Sequence, residues 1–215
     1  MYVPAHFKPD DVEVLALLGS GRAANLITGT AGGLMATMLP LAHDGPEERA
    51  GLGRWGALVG HVARNNAQWR APAIGEAMVI LAGPDAYISP AWYATKRAHG
   101  RVVPTWNYIT AHAYGRLVIH DDPAWVEANV RRLTGLHEGT RAEPWSVDDA
   151  PEPYLAGQLK AIVGVEIVIS HVEGKWKLSQ NRPVADMAGA IDGLEATGEQ
   201  GISAAMREAV AHRGT

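Results

Sequence analysis

The stretch Trp106-Asn107-Tyr108-Ile109-Thr110-Ala111-His112-Ala113-Tyr114-Gly115-Arg116-Leu117-Val118-Ile119 decides the fold. Tyr108, Thr110, His112 and Tyr114 alternate with Ile109, Ala111, Ala113 and Gly115, the period of two that marks a strand. Downstream, Asp122-Pro123 is a helix start, and Val126, Val130 and Leu133 predict about three helical turns. Leu155, Leu159 and Ile162 predict a second helix over 153–163, closed by Gly164. Val165 to Ile169 then reads as a strand that turns at Glu173-Gly174-Lys175. Met187, Ile191, Leu194, Ile202, Met206 and Val210 predict a helical tail from about residue 183.

Upstream, Val12, Leu15 and Leu18 followed by Gly19 predict a short first helix. Ala23 to Thr28 and Gly33 to Leu41, joined by the Gly-rich turn at 30–33, predict a hairpin. The polar run 43–53 reads as a loop, and Ala57 to Ala63 as the next strand. Met78 to Ala82 and Tyr87-Ile88 read as two strands parted by a Gly83-Pro84-Asp85 turn. Strands precede helices with no βαβ alternation, and there is no internal repeat. The chain therefore reads as one α+β domain over 1–215, built on an antiparallel sheet or barrel.

The composition, 47% apolar and 20% charged, is that of a globular chain. With 19 Lys and Arg against 23 Asp and Glu, the net charge of -4 gives no electrostatic support for DNA or an anionic membrane. The absence of cysteine removes disulfides, thiolate nucleophiles and Cys-ligated metals, and fits a cytoplasmic protein. No apolar run reaches the roughly 18–20 residues of a membrane span, and the opening MYVPAHFKPDD does not read as a signal peptide. There is no G-x-G-x-x-G, Walker A, G-x-S-x-G or H-E-x-x-H pattern, and no metal site is expected. Seven Trp and six Tyr stand against a single Phe, so nearly every ring carries a hydrogen-bonding handle, which suits a planar ligand or a wet interface.

Four clusters are richer in polar and ring residues than scaffold requires. His61-Val62-Ala63-Arg64-Asn65-Asn66 with Gln68-Trp69 offers a guanidinium fork and carboxamides suited to a phosphate or a heteroaromatic edge; a strand end satisfied by its own side chains accounts for it equally well. Trp92-Tyr93 before Lys96-Arg97 pairs rings with cations, as a solvated surface also would. Trp106, Asn107 and Tyr108 open the long strand, where core packing is the alternative. Lys177, Leu178, Ser179, Gln180, Asn181 and Arg182 precede Pro183, and cap a helix in the simpler reading.

Taken together and in order, Met1-Tyr2-Val3-Pro4 with His6-Phe7, His61 to Arg64 with Asn66 and Gln68-Trp69, Ser89-Pro90 with Trp92-Tyr93, Val103 to Tyr108 and Lys177 to Arg182 resemble the PaiB-type FMN-binding negative transcriptional regulators. The likeness runs from Met1 to about Leu194; Ala67 stands where that family usually has Pro, which leaves the loop less rigid. The resemblance implies an antiparallel split β-barrel with flanking helices, and FMN in a groove at a homodimer interface. By fold-level analogy, Thr37, Met38 and Leu39 present backbone groups to the flavin ring, while His61, Val62, Arg64, Asn65 and Asn66 approach its phosphate. Trp106, Asn107 and Tyr108, or Lys177, Ser179 and Gln180, complete the pocket from the partner subunit. The function implied is a negative transcriptional regulator or flavin-linked sensor, whose direct DNA contact the charge does not support. The alternatives are an FMN-dependent oxidoreductase, of flavin-reductase or pyridoxamine-phosphate-oxidase kind, and a haem-handling relative with His61 or His112 as axial ligand.

Overall fold

The computed structural model describes residues 1–47 and 51–211. Along the chain run α1 (Asp11–Leu18), β1 (Ala23–Thr30), β2 (Gly33–Pro40), β3 (Ala42–Asp44), β4 (Ala57–Ala63), β5 (Ala77–Ile88), α2 (Ala94–His99), β6 (Thr105–His120), α3 (Pro123–Glu138), α4 (Glu152–Lys160), β7 (Ile162–Lys177), α5 (Val184–Ala196) and α6 (Gln200–Ala211). The strands hydrogen-bond in the order β2-β1-β5-β6-β7-β4-β3. The β1–β2, β1–β5, β3–β4 and β4–β7 pairs are antiparallel. The chain divides into two compact units, one of residues 11–81 and 112–173, the other of residues 1–10, 82–111 and 174 onward.

In the first unit the β1–β2 hairpin forms where the sequence places its glycines. Gly33 takes φ 109°, a value open to glycine at little cost, and the Thr30 hydroxyl donates to the Gly33 carbonyl at 2.8 Å. Helix α3 starts at Asp122, whose carboxylate accepts from the Trp125 N–H at 3.1 Å. Its inward stripe is Val126, Asn129 and Leu133, so a carboxamide occupies the middle of the buried face. Ala42, Val59 and Leu133 form the core beneath it, with Trp125 packed alongside.

In the second unit α5 buries Met187, Ala190, Ile191 and Leu194, and α6 buries Ile202 and Met206. The Asp186 carboxylate accepts from the backbone N–H and the hydroxyl of Thr95, at 2.9 and 2.7 Å, and so ties α5 to α2.

The structure departs from the sequence reading at four places. β5 runs straight through Gly83-Pro84-Asp85: a Cβ on Gly83 would lie 2.8 Å from Ile109, so this glycine is required by close packing, not by a turn. α4 ends at Lys160, and Gly164 lies inside β7, where the Trp125 ring occupies the space a Cβ would take. β7 continues through Glu173-Gly174-Lys175, since long-range partners override the local turn signal: the Tyr114 hydroxyl donates to Glu173 at 3.1 Å, and Lys175 donates to the Tyr2 carbonyl at 3.2 Å. Of the loop expected over 43–53, residues 42–44 pair as β3, and 48–50 lie outside the described residues.

Candidate functional site

The two faces of β4 carry different chemistry. A Cβ on Gly60 would lie 2.8 Å from the Pro40 carbonyl and 3.3 Å from Leu39, so one face of β4 meets β2 at van der Waals distance. Side chains alternate along a strand, and directly paired residues of neighbouring strands point the same way. His61 pairs with Gly164, whose missing Cβ faces Trp125 and His120. His61 therefore points beneath α3, away from β2.

On the β2 side, the chain leaves β4 into a single 3-10 turn, Ala67–Trp69, capped by the Asn66 carboxamide oxygen accepting from the Gln68 N–H at 2.8 Å. The Asn66 amide donates to the Thr37 hydroxyl at 2.8 Å, and that hydroxyl donates to Gln68 Oε1 at 2.5 Å. Gln68 Nε2 reaches the Leu26 carbonyl and Thr28 hydroxyl at 3.1 Å each, and the Met35 carbonyl at 3.3 Å. Because Leu26 pairs with Thr37 and Thr28 with Met35, this one buried side chain braces one face of the hairpin. The opposite face carries Leu34 and Met38, 82% and 67% exposed, beside Ile74 at 65%. In the sheet order β2 is an edge strand paired with β1 alone, so its outer N–H and C=O groups have no strand partner.

Arg64 does not reach toward β2. Its guanidinium clasps Asp121 with two hydrogen bonds, at 3.1 and 2.6 Å, and also donates to the Lys160 and Ile162 carbonyls. The Asp121 hydrogen bonds raise the guanidinium pKa, and Arg64 holds the Asp121 carboxyl below its ordinary value. Four donated hydrogen bonds leave one of the five guanidinium N–H groups for a ligand. Arg70 stacks on Trp69 at 4.7 Å, and no ion pair engages it among the described residues. Asn65 is exposed, Val62 buried and Leu39 buried.

On the α3 side, His120 Nε2 meets the buried Glu166 carboxylate at 2.7 Å, and its ring stacks on Trp125 at 4.0 Å. His61 Nδ1 is buried with no partner among the described residues, and burial pushes the imidazole below its ordinary pKa. Burial lowers His112 likewise.

The candidates from the second unit are largely absorbed by its own architecture. Asn107, fully buried, donates to the Ser179 hydroxyl at 3.0 Å and to Met206 Sδ at 3.3 Å. Ser179 itself sits at φ 64°. Gln180 ties the same turn to the Trp176 carbonyl and the Leu178 N–H, at 2.7 and 2.8 Å. Lys177 donates to the Thr105 hydroxyl and the Trp106 carbonyl, and burial pulls its pKa down. Two rings remain outward: Trp106, 49% exposed with its indole N–H on Asp85 at 2.9 Å, and Tyr108, flanked by the Lys175 and Lys177 ammonium groups at 5.6 and 5.8 Å.

The structure thus brings Thr37 and Asn66 together around Gln68, commits Arg64 to Asp121, and leaves the buried His61 Nδ1 without a partner among the described residues. Sequence reasoning passed over Arg70 and Asn129; the first follows Gln68-Trp69 directly, and the second lies three residues after Val126, on the helix's buried stripe.

This architecture, an antiparallel sheet with flanking helices and a two-helix tail, is that of the split barrels. A conserved hypothetical protein of Mycobacterium tuberculosis superposes with TM-score 0.57 at 14% identity, over 85% of this chain and 94% of that one. The flavocytochrome Anf3 of Azotobacter vinelandii gives TM-score 0.51 at 16% identity, over 78% and 67%. Residues 1–171 match the family described as "Putative FMN-binding domain", and the chain belongs to that family. FMN is the cofactor this membership assigns. Among curated relatives, the protease synthase and sporulation protein PAI 2 of Bacillus subtilis is 31% identical over 198 residues, 91% of this chain and 89% of that one. An uncharacterised protein of Emericella nidulans is 33% identical over 192 residues, covering 77% and 76%.

Proposed function

We propose that the chain is a cytoplasmic, flavin-linked regulator in which FMN rests on the β2 edge of the hairpin and a second copy of the chain covers it. The observation that carries this reading is the exposed apolar face of Leu34, Met38 and Ile74, backed by the satisfied Thr37–Asn66–Gln68 brace. A flat apolar ring and a second protein surface both gain by removing such side chains from water, at about 25 cal/mol per Å². The donor set fits the cofactor. The outward N–H and C=O groups of the β2 edge, presented at every second residue along Thr37, Met38 and Leu39, suit the hydrogen-bonding edge of the flavin ring. Arg70 and Asn65 suit its phosphate better than the committed Arg64 does. Bound FMN supplies one- and two-electron chemistry; the protein's part is to orient it and limit access.

The regulatory half of the reading draws on the Bacillus relative, whose name ties it to protease synthesis and sporulation. The net charge of -4 favours a signal passed through protein contacts over direct DNA binding, which depends on neutralising phosphates. Among the described residues no helix is long and apolar enough to cross a membrane.

Light scattering combined with an FMN fluorescence titration tests the reading. A dimer with one FMN per chain is expected, and Met38→Glu should yield a monomer that has lost FMN. A monomer that binds FMN unchanged by Met38→Glu would overturn it. Steady NAD(P)H oxidation through the bound flavin would replace the regulator by an FMN-dependent oxidoreductase.

A further inference from the structure

Beneath α3 lies a cleft of about 160 Å³ lined by Asp44, Val59, Trp125, Ala128, Asn129 and Arg132. Asn129 is 5% exposed, and neither its carboxamide oxygen nor its nitrogen has a hydrogen-bond partner among the described residues. A buried amide without partners costs about 1–3 kcal/mol, so a fold that keeps one at the centre of a helix's buried stripe has a reason beyond packing. Arg132 is held by Asp44 in an ion pair and donates to the His43 carbonyl, which fixes the wall of the cleft. Asp44 beside the opening disfavours an anion, and Arg132 disfavours a cation; a neutral ligand suits both.

We propose that this cleft binds a small neutral lactam or imide ring, gripped through its adjacent N–H and C=O by both atoms of the Asn129 carboxamide. A carboxamide presents one donor and one acceptor side by side, and the edge that answers both at once is a cis-amide of the kind found in a pyridone or a pyrimidinone. The volume agrees, since a cavity of about 150 Å³ accommodates benzene, a single six-membered ring. The Trp125 indole supplies an aromatic wall for such a ring. The site stands apart from the flavin reading: its residues lie on the α3 side of β4, whereas the brace under β2 lies on the other.

The test is calorimetry on the full chain, as purified and again saturated with FMN, with uracil, 2-pyridone and 1,3-dimethyluracil as probes. Uracil and 2-pyridone should bind in both states, and 1,3-dimethyluracil, which lacks the N–H, at least about tenfold more weakly. Asn129→Leu, verified as folded by circular dichroism, should lose uracil binding. The methylated probe needs no variant, so the proposal stays exposed to failure even if Asn129→Leu does not fold. Absence of binding by uracil and 2-pyridone at their solubility limits would overturn it, as would equal binding of 1,3-dimethyluracil. Unchanged affinity in Asn129→Leu, or displacement of FMN by uracil, would do the same.

Discussion

Gln68 and Asn129 are both carboxamides closed off from solvent, 2% and 5% exposed, in the same compact unit. Gln68 spends its oxygen on Thr37 and its nitrogen on Leu26, Thr28 and Met35, and its contacts span both strands of the hairpin. Asn129 spends neither atom. A satisfied buried amide fixes the geometry around it, whereas an unsatisfied one is a standing cost that a ligand removes on binding. The difference separates scaffold from site more sharply than residue type does, because the two side chains carry the same functional group.

The largest effect expected concerns the seating of α3. Gly164→Ala would place a Cβ 2.2 Å from the Trp125 ring and should cost about 3 kcal/mol in urea unfolding, while leaving the hairpin brace intact. A loss no greater than that of a surface Gly→Ala change would mean that α3 is loosely seated and its cleft ill-defined. Next comes the phosphate cation. Arg70→Ala should weaken FMN binding roughly tenfold, as loss of a charged hydrogen bond does, and Arg64→Ala should weaken it far less. The reverse order in a fluorescence titration would return the phosphate to Arg64 and break the separation of the β2 side from the Arg64–Asp121 clasp.

The smallest effect is in acid. Burial holds His61 and His112 below the ordinary imidazole value of 6.5, so the unfolded chain takes up their protons first. Their contribution is complete above about 6.5 and is lost as pH falls through the lowered folded values. The Asp121 carboxyl, held below 3.8 by Arg64, contributes above that value and loses its part only as pH falls further. Melting temperature against pH should therefore decline in two separate windows, and His61→Gln should shrink the upper one alone. A curve unchanged by His61→Gln would place the buried imidazole elsewhere.

Much of this architecture is legible in the chain. Period-two alternation marks β6, glycines mark the hairpin turn, and Asp122-Pro123 marks the start of α3, because each is a local signal with a local cause. Gly83 and Gly164 mislead for one reason: glycine signals a turn locally, but here it makes room for Ile109 and Trp125, which are distant in sequence. The site divides in the same way. Asn66 and Gln68 are visible as polar neighbours of a strand end, but their closure on the Thr37 hydroxyl is not. That His61 faces α3, or that Arg64 is taken by Asp121, depends on register and on a partner 57 residues away, which no spacing rule supplies. Asn129 is hidden because the apolar spacing falls on Val126, Val130 and Leu133, whereas the buried stripe takes Asn129 in place of Val130.

The direct measurement is a pair of urea unfolding curves for Gln68→Leu and Asn129→Leu. Removing Gln68 strands several buried acceptors and should cost about 2–3 kcal/mol, whereas removing Asn129 deletes two unpaired atoms and should leave stability unchanged or raise it by about 1 kcal/mol. Equal losses in the two variants, or a larger loss for Asn129→Leu, would contradict the division into a satisfied brace and an open site.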